Sequence, residues 1–147
     1  MTKAPTRRLI DPTGNHSPAG TFIKTLSPHV VEVLGTTDLD FGVIDAEHAP
    51  FDRTTLDIMM IAGRAVRLPL ITRIPDHTAA TILSVLDMGT AGLLVPHVDS
   101  PEQARQIVRA AKYKIGTRGY SSGPRSACYG SLSMDETIRH GDEAKII

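Results

Sequence analysis

Residues 40–46 read DFGVIDA, a short and almost wholly apolar run, and residues 47–50 directly after it read EHAP. A continuous apolar run of this length indicates a strand that is covered on both faces of a sheet. Similar runs occur at residues 69–74 (PLITRI) and 91–95 (AGLLV), and residues 20–26 (GTFIKTL) look extended. We therefore predict four strands.

Segments with helical spacing separate these strands. The clearest is residues 53–66, whose apolar side chains recur at three- and four-residue steps behind Asp52 as the N-cap. The other predicted helices are residues 28–34, 77–88, 101–112 and 134–139. Strands that alternate with helices pair in parallel through right-handed crossovers.

Two α/β folds fit this order, a doubly wound sheet and a (β/α)8 TIM barrel. Neither a G-x-G-x-x-G fingerprint nor a P-loop is present, which disfavours a nucleotide-binding open sheet. A barrel typically needs about 250 residues, so four parallel β/α units would form about its first half. We expect a flexible N-terminal arm at residues 1–18 and a partial barrel domain at residues 19–147, which ends at the start of a fifth strand.

Composition excludes several classes of protein. The 147 residues contain no apolar run of 18 or more, so we expect no membrane-spanning helix. Basic and acidic residues balance at 16 each, without the basic excess of a nucleic-acid binder. The start shows no secretory signal, and Cys128 is the single cysteine, which fits a cytoplasmic protein.

Ionisable residues follow the predicted strands at their carboxyl ends, where parallel α/β folds place their sites. His48 is either a general base or a hydrogen-bonded loop residue. Asp45 and Glu47 either hold a divalent metal, or its bound water, or cap a helix or pair with an arginine. His97, after the fourth strand, is either a site residue or a loop residue.

Arg73 gives a sharper signal, because a guanidinium on a buried strand needs an anionic partner. That partner is either a carboxylate or enolate substrate or a carboxylate of the chain, Asp45 or Asp87. Asp87 stands late in a helix, where the helix dipole disfavours an anion, so it needs a specific partner such as a histidine.

The glycine-containing segment GTRGYSSGPR at residues 116–125 carries Arg118 and Arg125. Its backbone N–H groups and two arginines could wrap an anion. The other reading is a solvated loop.

Four motifs in this order resemble those of the metal-dependent, class II 2-oxo-acid aldolases: FGVIDAEHAPFD, PLITRIP, LDMGTAGLLVPHVDSPEQAR and GTRGYSSGPRSACYG. That family includes the 4-hydroxy-2-oxoheptanedioate and 2-dehydro-3-deoxyglucarate aldolases and is related to the citrate lyase beta subunit. The resemblance spans residues 20–130. It implies a TIM barrel, usually a hexamer, that works through a pyruvate enolate on Mg2+, Mn2+ or Co2+.

The resemblance also implies roles for individual residues. His48 matches the catalytic histidine and Asp87 its partner, while Arg73 matches the arginine on the pyruvate oxygens. Glu47 matches a carboxylate near metal-bound water. Asp45 supports the site, and Arg118 and Arg125 are further candidates for substrate binding. By the same resemblance, the direct metal ligands belong to the fifth and sixth strands, beyond residue 147.

The leading hypothesis is therefore an aldolase that converts a 4-hydroxy-2-oxo acid to pyruvate and an aldehyde. The alternative is a half-barrel without catalysis that has an assembly or binding role. A citrate-lyase-like acyl-CoA lyase fits less well, because the DAEH and RGYSS motifs resemble those of aldolases of free oxo acids. The expected partners are the 2-oxo acid, the aldehyde, and other copies of the chain or a missing C-terminal half, but neither nucleic acid nor a membrane.

Overall fold

A computed structural model of the chain describes residues 17–143 and residue 147. Its strands are β1 (Gly20–Ile23), β2 (Phe41–Asp45), β3 (Leu70–Arg73) and β4 (Gly92–Leu94). Its α-helices are α1 (His29–Gly35), α2 (Arg53–Val66), α3 (Ala79–Asp87), α4 (Pro101–Ala111) and α5 (Met134–Glu143), and a 3-10 helix spans Arg125–Gly130. None of the helices in the described part of the chain has the length and apolar character needed to cross a membrane.

The four strands form one parallel sheet in the order β1-β2-β3-β4. The register pairs Ile23 with Ile44, Asp45 with Arg73, and Arg73 with Leu94. This confirms the predicted parallel β/α fold. Because all strands run the same way, their carboxyl ends lie at one edge of the sheet.

One face of the sheet carries the helices. Since successive residues of a strand point to opposite faces, Ile23, Ile44 and Leu70 share a face. All three are buried in a core with Leu56 and Met59 of α2. A second core joins apolar side chains of α3, β4 and α4: Ile82, Leu86, Leu93 and Ile107.

The opposite face carries Phe22, Asp45, Arg73 and Leu94. Phe22 is 50% exposed and Leu94 is 41% exposed, so the described elements leave the two outer strands of this face uncovered. A doubly wound sheet would have helices on both faces. A one-sided arrangement is the geometry of barrel strands with their outer ring of helices.

Local signals explain several helix boundaries. Asp52 caps α2 by accepting a hydrogen bond from the Thr55 amide at 2.7 Å, and Ser100 caps α4 by accepting one from Gln103 at 3.2 Å. The helix predicted at residues 77–88 begins later, at Ala79, because Thr78 is its cap. Helix α5 extends past residue 139 to Glu143.

Two predictions concern residues outside the described part. Residues 1–16, most of the expected N-terminal arm, lie outside the described residues. Residues 144–146 of the expected fifth strand lie outside them as well.

Candidate active site

Six ionisable side chains meet at the carboxyl ends of the strands. We call them the carboxyl-end cluster: Lys24 after β1, Asp45 at the end of β2, Glu47 and His48 just beyond it, Arg73 at the end of β3, and His97 after β4. The sequence predicted that Asp45, Glu47, His48 and Arg73 share one end of the sheet, and the structure brings them together.

Asp45 is the centre of this cluster. Its side chain is fully buried and accepts two hydrogen bonds from Arg73, from Nε to Oδ1 at 2.9 Å and from Nη2 to Oδ2 at 2.7 Å. The backbone N–H of His48 donates to Oδ1 at 3.1 Å, and Lys24 Nζ lies 3.3 Å from Oδ2. The hydrogen bonds from Arg73 lower the pKa of Asp45 far below its ordinary value despite burial, so it is an anion.

The same ion pair fixes the orientation of Arg73 but uses only its Nε and Nη2 donors. The Phe22 ring lies 5.0 Å from the guanidinium carbon, and Glu47 Oε2 lies 3.3 Å from Nε. Hydrogen bonds to Asp45 raise the pKa of Arg73 above its ordinary value. Among the described residues, Nη1 has no acceptor. Arg73 therefore presents a pre-oriented cation with a donor left for a ligand.

Glu47 links two histidines. Its Oε1 lies 3.0 Å from His97 Nε2, and its Oε2 lies 3.6 Å from His48 Nε2. The Glu47 side chain is 10% exposed, whereas both imidazoles are open to solvent. The exposed imidazole of His48 can therefore exchange a proton with a ligand, with the nearly buried Glu47 carboxylate 3.6 Å away.

Lys24 was not among the predicted site residues, and His97 was predicted to be either a site residue or a loop residue. Both residues follow strands of the same parallel sheet, so their position after an apolar run was a usable signal. His97 also has left-handed backbone geometry, with φ of 56°. The contact between β4's loop and Glu47 depends on this turn, which the sequence does not specify.

The donor set at this edge does not fit direct binding of a metal ion. Both carboxylates are engaged, Asp45 by Arg73 and Lys24, and Glu47 by Arg73 and His97. Within residues 17–143 and residue 147, no group of three or more His, Cys, Asp or Glu side chains is arranged to hold a metal. The expected contact of Glu47 with metal-bound water stays a prediction.

Asp87 lies at the opposite end of the sheet. It is the last residue of α3, just before β4 begins, so it stands at the amino end of that strand. Its Oδ1 accepts from Arg118 Nη2 at 2.9 Å and from Ser126 Oγ at 3.4 Å. Within this chain Asp87 therefore pairs with Arg118 and not with His48, and its catalytic role stays a prediction.

Arg118 and Arg125 also lie at the amino end, away from Arg73. Arg118 has a fully buried side chain whose guanidinium carbon lies 4.5 Å from the centre of the Tyr113 ring. Arg125 donates to both oxygens of Asp57, at 2.7 and 3.1 Å, and to a backbone carbonyl at 2.6 Å. Both arginines attach the segment after α4 to the helices, and this placement gives no support to their expected substrate role at the cluster.

Comparison with known proteins agrees with this arrangement. A family model described as HpcH/HpaI aldolase/citrate lyase matches residues 19–138. The chain belongs to this family. The match confirms the resemblance predicted from the motifs and includes every member of the carboxyl-end cluster.

Individual members of the family show the same relationship. The chain is 36% identical over 114 residues to a 5-keto-4-deoxy-D-glucarate aldolase of Klebsiella pneumoniae, which covers 77% of the chain and 44% of the relative. It is 34% identical over 131 residues to a hydroxypyruvate/pyruvate aldolase of Deinococcus radiodurans, covering 88% of the chain and 47% of the relative. The chain thus spans about half the length of these relatives.

The crystal structure of an HpcH/HpaI aldolase from Desulfitobacterium hafniense superposes with a TM-score of 0.81 at 26% identity. The match covers 90% of this chain and 52% of that one. The parallel β/α arrangement is therefore that of an HpcH/HpaI aldolase over roughly half its length.

Proposed function

We propose that the carboxyl-end cluster is part of the active site of an aldolase that makes or cleaves a carbon–carbon bond of a 4-hydroxy-2-oxo acid, with pyruvate and an aldehyde as the products of cleavage. The matching family model is described as HpcH/HpaI aldolase/citrate lyase, and the two relatives compared above are named aldolases. The observation that carries the proposal is the geometry of Arg73, which Asp45 holds in place while Nη1 has no acceptor among the described residues, and Glu47 Oε2 lies near both Arg73 Nε and His48 Nε2. An enolate or carboxylate is the ligand that such a cation suits.

Cleavage requires a base and an anion-stabilising group. The base removes the proton of the C4 hydroxyl, the C3–C4 bond breaks, and its electron pair moves to the C2 oxygen as the enolate of pyruvate. The aldehyde leaves, and C3 then accepts a proton. His48 is the exposed base that exchanges these protons, directly or through water, and Arg73 stabilises the negative charge on oxygen.

We further propose a divalent cation, Mg2+, Mn2+ or Co2+, as the cofactor. When bound, it supplies Lewis-acid stabilisation of the 2-oxo group. Because the described carboxylates are already engaged, its direct ligands must come from residues outside this set, and Glu47 would reach it only through a water molecule.

The sheet itself suggests the kind of protein partner. Within the described residues, β1 and β4 each pair on one side only, and Phe22 and Leu94 are exposed on the face without helices. Unpaired parallel edges favour association. We propose that this face is covered by further barrel strands, supplied by the rest of a longer chain or by another copy, in a homo-oligomer such as a hexamer.

Pyruvate release is the direct test of the catalytic proposal. The 147-residue chain should release little or no pyruvate from a 4-hydroxy-2-oxo acid with Mn2+. A version completed through the fifth and sixth strands of a relative should be active, faster by several decades since the metal contributes several kcal/mol. In the completed version, Arg73→Ala should remove most of the activity.

The matched control is Arg105→Ala, which removes an exposed arginine of α4 whose ion-pair partner within the described residues is Glu102. A completed protein that folds but releases no pyruvate would contradict the function. Pyruvate release by the 147-residue chain alone, abolished by EDTA and by His48→Ala, would instead contradict the proposed location of the metal ligands.

A further inference from the structure

A cavity of about 360 Å3 lies at the amino end of the sheet, opposite the carboxyl-end cluster. Its wall is built from the end of α2, the residues that enter β3 and β4, and α5. Small-molecule sites have volumes of roughly 300–1,000 Å3, so the space is large enough for a small metabolite. The proposed aldolase reaction does not use this cavity, although the segment at residues 116–125 supplies Arg118 and Arg125 to its wall.

The wall of the cavity is positively charged. No Asp or Glu is among the residues that line it. The basic lining residues are four arginines and one histidine: Arg64, Arg67, Arg118, Arg125 and His140. From outside the wall, Asp87 pairs with Arg118 and Asp57 pairs with Arg125. Arg64 and Arg67 have no carboxylate partner within the described part of the chain. Counted over the described residues, the arginines therefore give the cavity an excess of two positive charges.

Arg118 adds donors that need an acceptor. Its Nη2 pairs with Asp87, but Nε and Nη1 are buried and have no hydrogen-bond partner among the described residues. These two nitrogens carry three N–H bonds. Water cannot satisfy them in this arrangement, because the side chain has no solvent exposure. Buried donors without an acceptor are costly, so a ligand that supplies one is favoured.

The contacts of Arg118 allow such a ligand to reach it. Among the described residues only Asp87 holds the guanidinium by an ion pair, through Nη2; the group also packs against the Tyr113 ring, and Nη1 lies 3.5 Å from where a Cβ on Gly141 would stand. Gly141 permits this packing, because a Cβ there would lie 2.6 Å from a Tyr113 ring carbon. Arg118 lines the cavity, so a ligand there would meet its free nitrogens once the guanidinium turns toward it.

We propose that this cavity binds a small organic anion through a phosphate or carboxylate group. The exposed Arg64 and Arg67 attract the anion at the entrance, and Arg118 donates to its oxygen atoms inside. A guanidinium matches both phosphate and carboxylate geometry, so the two groups share the chemistry of this site. The site is independent of the aldolase function proposed for the other end of the sheet.

The test is isothermal titration calorimetry of the 147-residue chain with inorganic phosphate, pyrophosphate and succinate, each at constant ionic strength. We expect saturable binding of at least one probe with one site per chain. Arg118→Met should weaken it at least about tenfold, as expected for loss of a charge-assisted hydrogen bond. Arg67→Gln should also weaken it, whereas Arg105→Gln on α4 should leave it unchanged.

Histidine NMR signals of the unchanged chain locate the bound probe. This measurement tests the proposal even if Arg118→Met does not fold. His140 lines the cavity, whereas His48 and His97 lie at the other end of the sheet. Binding in the cavity should shift the His140 signals and leave those of His48 and His97 in place. If phosphate and pyrophosphate bind but succinate does not, the ligand carries a phosphate group. If succinate alone binds, the ligand carries a carboxylate group.

Three results would overturn the proposal. The first is no saturable binding of any probe. The second is an equal loss of affinity in Arg67→Gln and Arg105→Gln, which would indicate general charge attraction. The third is a shift of the His48 and His97 signals without a shift of His140, which would place the anion at the carboxyl-end cluster.

Discussion

Arginine–aspartate pairs stand at both ends of the sheet, but the buried partner differs. At the carboxyl end, Asp45 has no exposure and Arg73 is 21% exposed. At the amino end, Arg118 has no exposure and Asp87 is 25% exposed. A buried carboxylate directs its guanidinium outward, where a ligand can reach it. The buried guanidinium of Arg118 joins chain segments and can meet a ligand only inside the cavity that it lines, while its carboxylate faces solvent. The same pair of residue types therefore serves a different purpose at each end.

The largest expected effect is that of Asp45→Asn, which removes the buried anion under Arg73. Breaking a buried ion pair by loss of one partner costs about 3–5 kcal/mol, and the partial exposure of Arg73 places this pair near the lower value, about 3 kcal/mol. The free energy of unfolding in urea measures this, with the exposed Asp38→Asn as control. A loss no larger than that of the control would contradict the anchoring role of Asp45.

Arg125→Met tests the amino end in the same way. Its loss removes hydrogen bonds to Asp57 and to the Met88 carbonyl, and we expect about 2 kcal/mol of destabilisation, since hydrogen bonds to charged groups contribute about 1.5–3 kcal/mol. The half-exposed Asp57 can return to water. NMR signals of His48 and His97 should stay unchanged, and a shift in them would mean that the two ends are coupled.

Acid should weaken the ion pair at the carboxyl end of the sheet. The pKa of Asp45 is lowered in the folded chain, so its stabilising effect is complete above the ordinary aspartate pKa and is lost as pH falls toward the lowered value. Below about pH 4 this loss amounts to about 1 kcal/mol per pH unit. Urea unfolding at several pH values should show a shallower acid decline for Asp45→Asn than for the unchanged chain. Parallel declines would count against this assignment.

The smallest effect on stability is expected for His97→Ala. The His97–Glu47 contact is exposed on the histidine side, and such pairs contribute about 0–1 kcal/mol. It should nevertheless release Glu47 Oε1 and shift the NMR signals of the neighbouring His48. His77→Ala, an exposed histidine before α3, is the control. An unchanged His48 spectrum would show that His97 does not position Glu47.

Much of the carboxyl-end cluster could be predicted because its members follow strands. Parallel pairing brings Asp45, Glu47, His48 and Arg73 to one edge as soon as the strands are recognised. The N-caps Asp52 and Ser100 can also be recognised from the sequence, because a cap side chain bonds the amide only three positions away. The sequence could not show that Arg73 pairs with Asp45 rather than Asp87. That choice depends on the register between β2 and β3.

The sequence by itself determined the parallel β/α order, the family and the edge at which the ionisable residues gather. Only the tertiary structure decided the partners of Asp87, Arg118 and Arg125, because the segment after α4 folds back to the amino end of the sheet. The tertiary structure also decides which member of each ion pair is buried and which faces solvent. Apolar periodicity encodes strands and helices over a few residues, whereas the environment of a charge is set by segments 31 to 68 positions apart in the chain.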